Sequence, residues 1–127
     1  MEAQREKIVD QVAIDAVIEI LQADFGDRLS QAQAVRERFG KDESFHGSAP
    51  PDAVVTPHTT EEVSQIVKTC SDYQVPVIPF GTGTALEGHV AALHGGISIN
   101  MQEMNQILEV HDEDLDVVVQ PGVTRKQ

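Results

Sequence analysis

Apolar positions near the start of the chain recur at helical spacing. Val9, Val12, Ala13, Ala16, Val17, Ile20 and Leu21 form one stripe, predicting an amphipathic helix of about four turns. Gly26 is its expected stop. Ser30-x-x-Gln33 is a capping-box pattern, which predicts a short helix through Phe39 ending at Gly40. Residues 41–51 are polar and close on Pro50-Pro51, which blocks helix and marks a boundary. The period then shortens. Val54-Val55, within Ala53–Thr56, is a short strand candidate ended by Pro57. Thr59-x-x-Glu62 is a second capping box, opening a helix whose inner face is Val63, Ile66, Val67 and Cys70. Val75–Phe80 is the next strand. Strand, helix and strand within about 30 residues make a βαβ-type unit with a right-handed crossover. Gly95-Gly96 precedes a strand at Ile97–Asn100. Ile107–His111 and Val117–Gln120 are two more, flanking an acidic hairpin turn, Asp112–Asp116. The expected architecture is α+β, with a helical lead over residues 1–49 and a small mixed sheet with one crossover helix over 50–127.

Composition narrows the function classes. The 127 residues are 40% apolar and 24% charged, as in one globular domain. With four Phe, one Tyr and no Trp, the core must rest on aliphatic side chains. Nine Lys plus Arg stand against 21 Asp plus Glu, a formal charge of −12. That excludes the basic face a nucleic acid needs, and it disfavours docking on an anionic membrane. An anion site on this chain must be local and built largely from backbone N–H groups. Cys70 is the only cysteine, so neither an intrachain disulfide nor a CxxC site can form. No apolar run approaches the roughly 18–20 residues of a membrane span. The polar start MEAQREKIVDQ lacks a signal-peptide core. A cytoplasmic setting is expected.

The stretch Pro79–His89, PFGTGTALEGH, is the candidate for chemistry. A dinucleotide fingerprint G-x-G-x-x-G can use Gly81 and Gly83, but its third glycine falls on Leu86. A Walker A pattern from Gly83 to Gly88 meets His89 where Lys is required. What remains is a strand running straight into Gly81-Thr82-Gly83-Thr84. Successive N–H groups in such a turn form an anion nest, and the threonine hydroxyls add donors. A plain turn is the competing reading of the loop taken alone.

Its neighbours add a resemblance. Pro51-Asp52-Ala53-Val54-Val55-Thr56-Pro57, Thr60-Glu61-Glu62-Val63, Val77 through Gly88, Met104-Asn105-x-Ile107-Leu108-Glu109 and Val118-Val119-x-Pro121-Gly122-Val123-Thr124 together resemble the FAD-binding domain of the vanillyl-alcohol oxidase/p-cresol methylhydroxylase superfamily. Within it, the chain is most similar to FAD-linked D-lactate dehydrogenase and the glycolate oxidase flavin subunit. Residues 40–46 resemble the lead of those enzymes. The resemblance implies the first subdomain of a PCMH-type FAD-binding domain. It implies a parent that oxidises a D-2-hydroxy acid such as D-lactate to the 2-keto acid. It assigns FAD binding to Phe80, Gly81, Thr82, Gly83, Thr84, Leu86, Glu87, Gly88, Pro121 and Gly122. The histidine that carries covalent flavin in some relatives would fall at about Thr84, so FAD is expected to bind noncovalently. Ala85 and His89 stand where many relatives carry Gly, and Phe80 where some carry Arg.

No catalytic base or metal site is assigned to this chain. The five histidines show no HxH or HxxxH spacing. Cys70 lies on an apolar helix face and reads as a core thiol. The acidic run lacks EF-hand spacing. The chain stops at Pro121–Gln127, where a turn should launch a new element, so it is expected to be the front part of a longer enzyme. Alone it should be inactive and expose apolar sheet surface, with weak FAD affinity, marginal stability or self-association as the expected result. The alternative is a non-enzymatic α+β module binding another phosphate ligand or a partner.

Overall fold

The computed structural model describes residues 10–41, 49–84, 90–92 and 94–126. Helix α1, Gln11–Phe25, starts at Asp10, whose side chain accepts the Val12 N–H, and stops at Gly26 with φ 56°. A 3-10 turn, Gly26–Arg28, leads into strand β1, Leu29–Ser30. Then come helix α2, Gln33–Arg38, strand β2, Ala53–Val55, and helix α3, Thr60–Asp72. Strands β3, Val77–Phe80, β4, Ile97–Asn100, β5, Ile107–His111, and β6, Asp116–Val119, complete the order.

The main sheet has the order β1-β2-β4-β3. β1 runs antiparallel to β2, while β2, β4 and β3 are mutually parallel. The β2–α3–β3 unit is present, but β4 lies between its two strands. Sequence adjacency concealed this insertion, because β4 follows β3 by a long connection. The lead also contributes β1 to the sheet, so it is not purely helical.

Pleating sends alternate residues to opposite faces. Ala53, Val55, Ile97 and Ile99 face α1 and α3, meeting Ile14, Val17, Leu21, Ile66 and Cys70. Val54, Ile78 and Phe80 face the other way, toward Phe39, Val90, Ala92 and Val35 of α2. The core is mainly aliphatic, as composition required, with Phe25, Phe39 and Phe80 buried in it. Ser98 pairs in register with Val54 and Ile78 and is fully buried, and its hydroxyl has no hydrogen-bond partner among the described residues.

Several expectations shift locally. The buried stripe of α1 is Ile14, Val17, Ile18, Leu21 and Phe25, while Val12 is 76% exposed. Both stripes share helical spacing, and packing on the sheet selects the one that carries the larger side chains. Val9 lies outside the described residues. Ser30 does not cap α2. Its ladder pairing with Val54 holds it in β1, and its hydroxyl accepts the Ala32 N–H instead. Thr59 does cap α3, accepting the Glu62 N–H at 3.1 Å. On that helix Ile66 and Cys70 are buried, but Val67 is 41% exposed.

β5 and β6 form a separate two-stranded hairpin. Its register slips between Ile107 and Glu109, so Leu108 is the extra residue of a bulge. Unbroken alternation from Ile107 would put Ile107, Glu109 and His111 on one face. The bulge rephases the strand, aligning Ile107 with Val110, Val117 and Val119 around one apolar groove. Glu109, His111 and Asp116 take the opposite face. There His111 bridges the two carboxylates, Nδ1 to Asp116 at 2.6 Å and Nε2 to Glu109 at 2.9 Å.

Candidate functional site

Parallel pairing brings the C-terminal ends of three strands to one edge of the sheet, with Val55 opposite Ile99 and Phe80 opposite Asn100. Open sheets of parallel strands bind ligands beyond this edge. Thr56, Gly81 and Asn100 sit there because each directly follows, or ends, a strand. The Asn100 amide donates to the Thr56 hydroxyl at 3.2 Å and its oxygen accepts the Gln102 N–H at 3.0 Å, tying β2 to the turn after β4. Sequence reasoning did not single out this pair. Polar residues closing the buried runs of two parallel strands are the signal that could have found it.

β3 delivers Gly81–Thr84 to the same edge. Gly83 has φ 75°, and a Cβ there would lie 2.5 Å from the Phe80 ring. Phe80 is buried, with its ring centroid 4.5 Å from that of Phe39. Its side chain therefore forms the floor of the loop. The Thr82 and Thr84 hydroxyls lie 3.2 Å apart, with both residues exposed. Among the described residues, no backbone carbonyl takes up the N–H groups of residues 81–84. These are the donors an anion nest needs. Leu86, Glu87 and Gly88 lie outside the described residues.

Pro121-Gly122 reaches this edge from the hairpin side. The Pro121 carbonyl is 3.9 Å from an ideal Cβ on Gly81, so the two expected segments are neighbours. The Gly122 N–H donates to the Met104 carbonyl at 2.8 Å. A Cβ at Gly122 would lie 2.5–2.9 Å from the carbonyls of Met101, Gln102 and Met104, so only glycine fits this approach. Beside it is an apolar crevice of about 200 Å³ lined by Thr60, Val63, Met101, Met104 and Pro121. Ligand pockets commonly enclose roughly 300–1,000 Å³. The crevice can thus take one edge of a large cofactor and not the whole of it.

An ion-pair network braces the first turn of α3. Arg28 donates twice to Glu62, at 3.0 and 2.6 Å, and the same carboxylate accepts the His58 N–H at 2.7 Å. The Arg28 hydrogen bonds, reinforced by that N–H, hold the Glu62 carboxyl at about 2. The His58 ring meets Glu103 at 2.8 Å, joining the start of α3 to the turn after β4. Burial pushes the Cys70 thiol up to about 11, which fits a core residue and not a nucleophile. Among the described residues no group of His, Cys, Asp and Glu could hold a metal ion. His46 and His89 lie outside those residues. No described helix is long and apolar enough to cross a membrane.

The chain belongs to the FAD binding domain family, which residues 51–127 match, and FAD is the cofactor of this domain. Its fold is that of the front portion of a PCMH-type domain. A solved structure of p-cresol methylhydroxylase with substrate bound superposes on 91% of this chain and 24% of that chain, with a TM-score of 0.78 at 25% identity. The chain is 50% identical over 115 residues to a probable mitochondrial D-lactate dehydrogenase of Danio rerio, covering 90% of this chain and 23% of that one. It is 43% identical over 99 residues to the mitochondrial D-lactate dehydrogenase [cytochrome] of Arabidopsis thaliana, covering 76% and 18%. To the glycolate oxidase subunit GlcD of Bacillus subtilis it is 36% identical over 109 residues, covering 86% and 23%. It thus spans about a fifth to a quarter of the length of these relatives.

Proposed function

We propose that residues 80–88, together with Pro121-Gly122, hold the diphosphate of noncovalently bound FAD in an oxidoreductase. The enzyme converts a D-2-hydroxy acid of the D-lactate type to its 2-keto acid. One observation carries the binding reading, namely that among the described residues no backbone carbonyl takes up the N–H groups of Gly81–Thr84 at the C-terminal edge of the parallel strands. Hydrogen bonds to a charged group contribute about 1.5–3 kcal/mol each. Three or four of them outweigh the screened repulsion from a chain of net charge −12. Bound FAD supplies the hydride acceptor. The residues of this chain bind and orient it, and none of them is assigned as the catalytic base. Thr84 offers no nitrogen for a flavin linkage. The substrate class rests on the names of the relatives above.

The test is a titration of the purified chain with FAD, followed by quenching of flavin fluorescence. Saturable binding is expected, competed by pyrophosphate. Gly83→Glu places a carboxylate in the nest and should weaken binding at least about tenfold, or about 1.4 kcal/mol. Undiminished binding by Gly83→Glu would overturn the assignment. Acid precipitation should release all flavin to the supernatant, and a yellow pellet would contradict noncovalent binding. No turnover of D-lactate with a dye acceptor is expected from these 127 residues alone. The cytoplasmic setting we propose has to be weighed against the relatives named mitochondrial. Imaging of a tagged protein decides between the two.

A further inference from the structure

Residues 101–106 lead from β4 of the main sheet to the separate hairpin, with no strand or helix of their own. Pro121-Gly122 returns against this connection. A Cβ on Gly122 would lie 2.5–2.9 Å from the Met101, Gln102 and Met104 carbonyls, and the Gly122 N–H donates to Met104 at 2.8 Å. Where the turn 101–104 stands, Gly122 must therefore stand too. A turn without regular structure has to be held from outside. The Met101 N–H donates to the Phe80 carbonyl at 2.9 Å, at the start of the glycine loop. The Asn100 side chain donates to the Thr56 hydroxyl just past β2 and accepts the Gln102 N–H. Glu103 meets the His58 ring at 2.8 Å. The His58 backbone is itself held by Glu62, which Arg28 grips through two hydrogen bonds.

We propose that Asn100 and Glu103 are positioning residues, which set the place of Pro121-Gly122 opposite Gly81 in the cofactor site. The inference rests on the reading above that Pro121-Gly122 borders FAD. Neither side chain is assigned a contact with the cofactor. The backbone bond to Phe80 fixes the first residue of the turn, Asn100 fixes the second through its N–H, and Glu103 holds the third. These are the residues that lead into Met104, which takes the Gly122 N–H. The Asn100 arm is half-buried and contributes the larger share. The Glu103 and His58 side chains are 59% and 49% exposed, and a pair of that kind shifts an equilibrium by no more than about fivefold. The two arms reach back to the start of α3 and to the end of β2, so the place of Gly122 is referred to the main sheet and not to the hairpin.

Amide exchange of Gly122, followed by NMR on the full chain without FAD, reads the bracing, and FAD titration reads its consequence. The wild-type Gly122 N–H should be protected. Asn100→Ala removes both hydrogen bonds and should speed Gly122 exchange at least about fivefold, while Ile99 in the middle of the sheet keeps its rate. Asn100→Asp keeps an acceptor for the Gln102 N–H and for the Thr56 hydroxyl, and should restore the wild-type rate. Glu103→Ala and His58→Ala, both at exposed side chains, should each speed exchange about two- to fivefold, and the double variant no more than either alone. The dissociation constant for FAD should rise about two- to tenfold in Asn100→Ala. An unprotected Gly122 in wild type, or unchanged exchange in Asn100→Ala, overturns the proposal. So does equal acceleration at Ile99, which marks a general loss of stability. If Gly83→Glu weakens FAD binding but Asn100→Ala and Glu103→Ala do not, the positioning role fails while the cofactor reading stands. If Gly83→Glu binds FAD as wild type does, the cofactor reading fails, and this inference with it.

Discussion

Replacing Gly83 with alanine probes the loop through two separable costs. The backbone sits at φ 75°, where an L-residue with a Cβ is disfavoured by about 1–2 kcal/mol. The added methyl would also lie 2.5 Å from Cζ and 3.1 Å from Cε1 of Phe80. That ring is 4% exposed and packed on Phe39, so it cannot swing aside without opening the second core cluster. Overpacking of this kind costs about 1–3 kcal/mol. The sum is about 2–5 kcal/mol, shared between lost stability and a distorted nest. Phe80→Leu removes the ring atoms in the way but leaves the φ cost. A double-mutant cycle on Gly83→Ala and Phe80→Leu, read by urea denaturation, should show a favourable coupling of about 1–3 kcal/mol. The double variant should still bind FAD less tightly than wild type, because the turn's backbone preference is unrelieved. Strict additivity would refute the claim that Phe80 is the floor of the loop. Wild-type FAD affinity in Gly83→Ala would refute the need for a left-handed residue there.

Ser98→Ala removes a buried hydroxyl that lacks a partner among the described residues and should raise stability by up to about 1 kcal/mol, seen as a higher melting temperature. Glu62→Gln weakens the bidentate Arg28 contact and should cost about 1–2 kcal/mol, discounted because both side chains are partly solvated. The same carboxylate has a folded value of about 2 against an ordinary 4.5, so its contribution is complete above pH 4.5 and is lost as pH falls toward 2. Acid denaturation curves of Glu62→Gln should be shallower over that window. Gly122→Ala forces a methyl onto three backbone carbonyls and should cost more than about 2 kcal/mol, with faster amide exchange of Gly122 and its neighbours. Cys70 should resist thiol reagents in the folded chain and react at the rate of unfolding, as followed by mass spectrometry.

Most elements were readable because their signals are local. Ile97–Asn100 and Ile107–His111 are bounded by glycines and turn residues, and their limits match the strands found. Thr59 is followed by a helix long enough to make its cap decisive. Ser30 shows the reverse case, since an equally good capping pattern lost to a strand pairing with Val54. The position of β4 was hidden because strand order is set by long-range pairing, which leaves no mark on spacing. The bulge at Leu108 was hidden for a related reason, as the partner strand decides which residue is extra. At the site, the turn and Pro121-Gly122 could be placed by motif, but their contact could not. Phe80 reads as part of the loop by position, yet its ring belongs to the core. The Thr56–Asn100 and Arg28–Glu62 pairs join residues 44 and 34 positions apart, beyond any pattern visible along the chain.

The insertion of β4 also orders the chain in time. β2 and β3 are made first, yet neither can bond to the other, because the place between them is reserved for residues 97–100. Until that segment leaves the ribosome, α3 bridges two strands that flank an empty slot, and the apolar edges of the slot are open to any extended chain. β1 and β2 can pair beforehand, but closing the parallel part of the sheet is a late step, as expected for non-local pairings. Ser98 sits at the middle of the closing strand. Once that strand is in place, its hydroxyl is buried with no hydrogen-bond partner among the described residues.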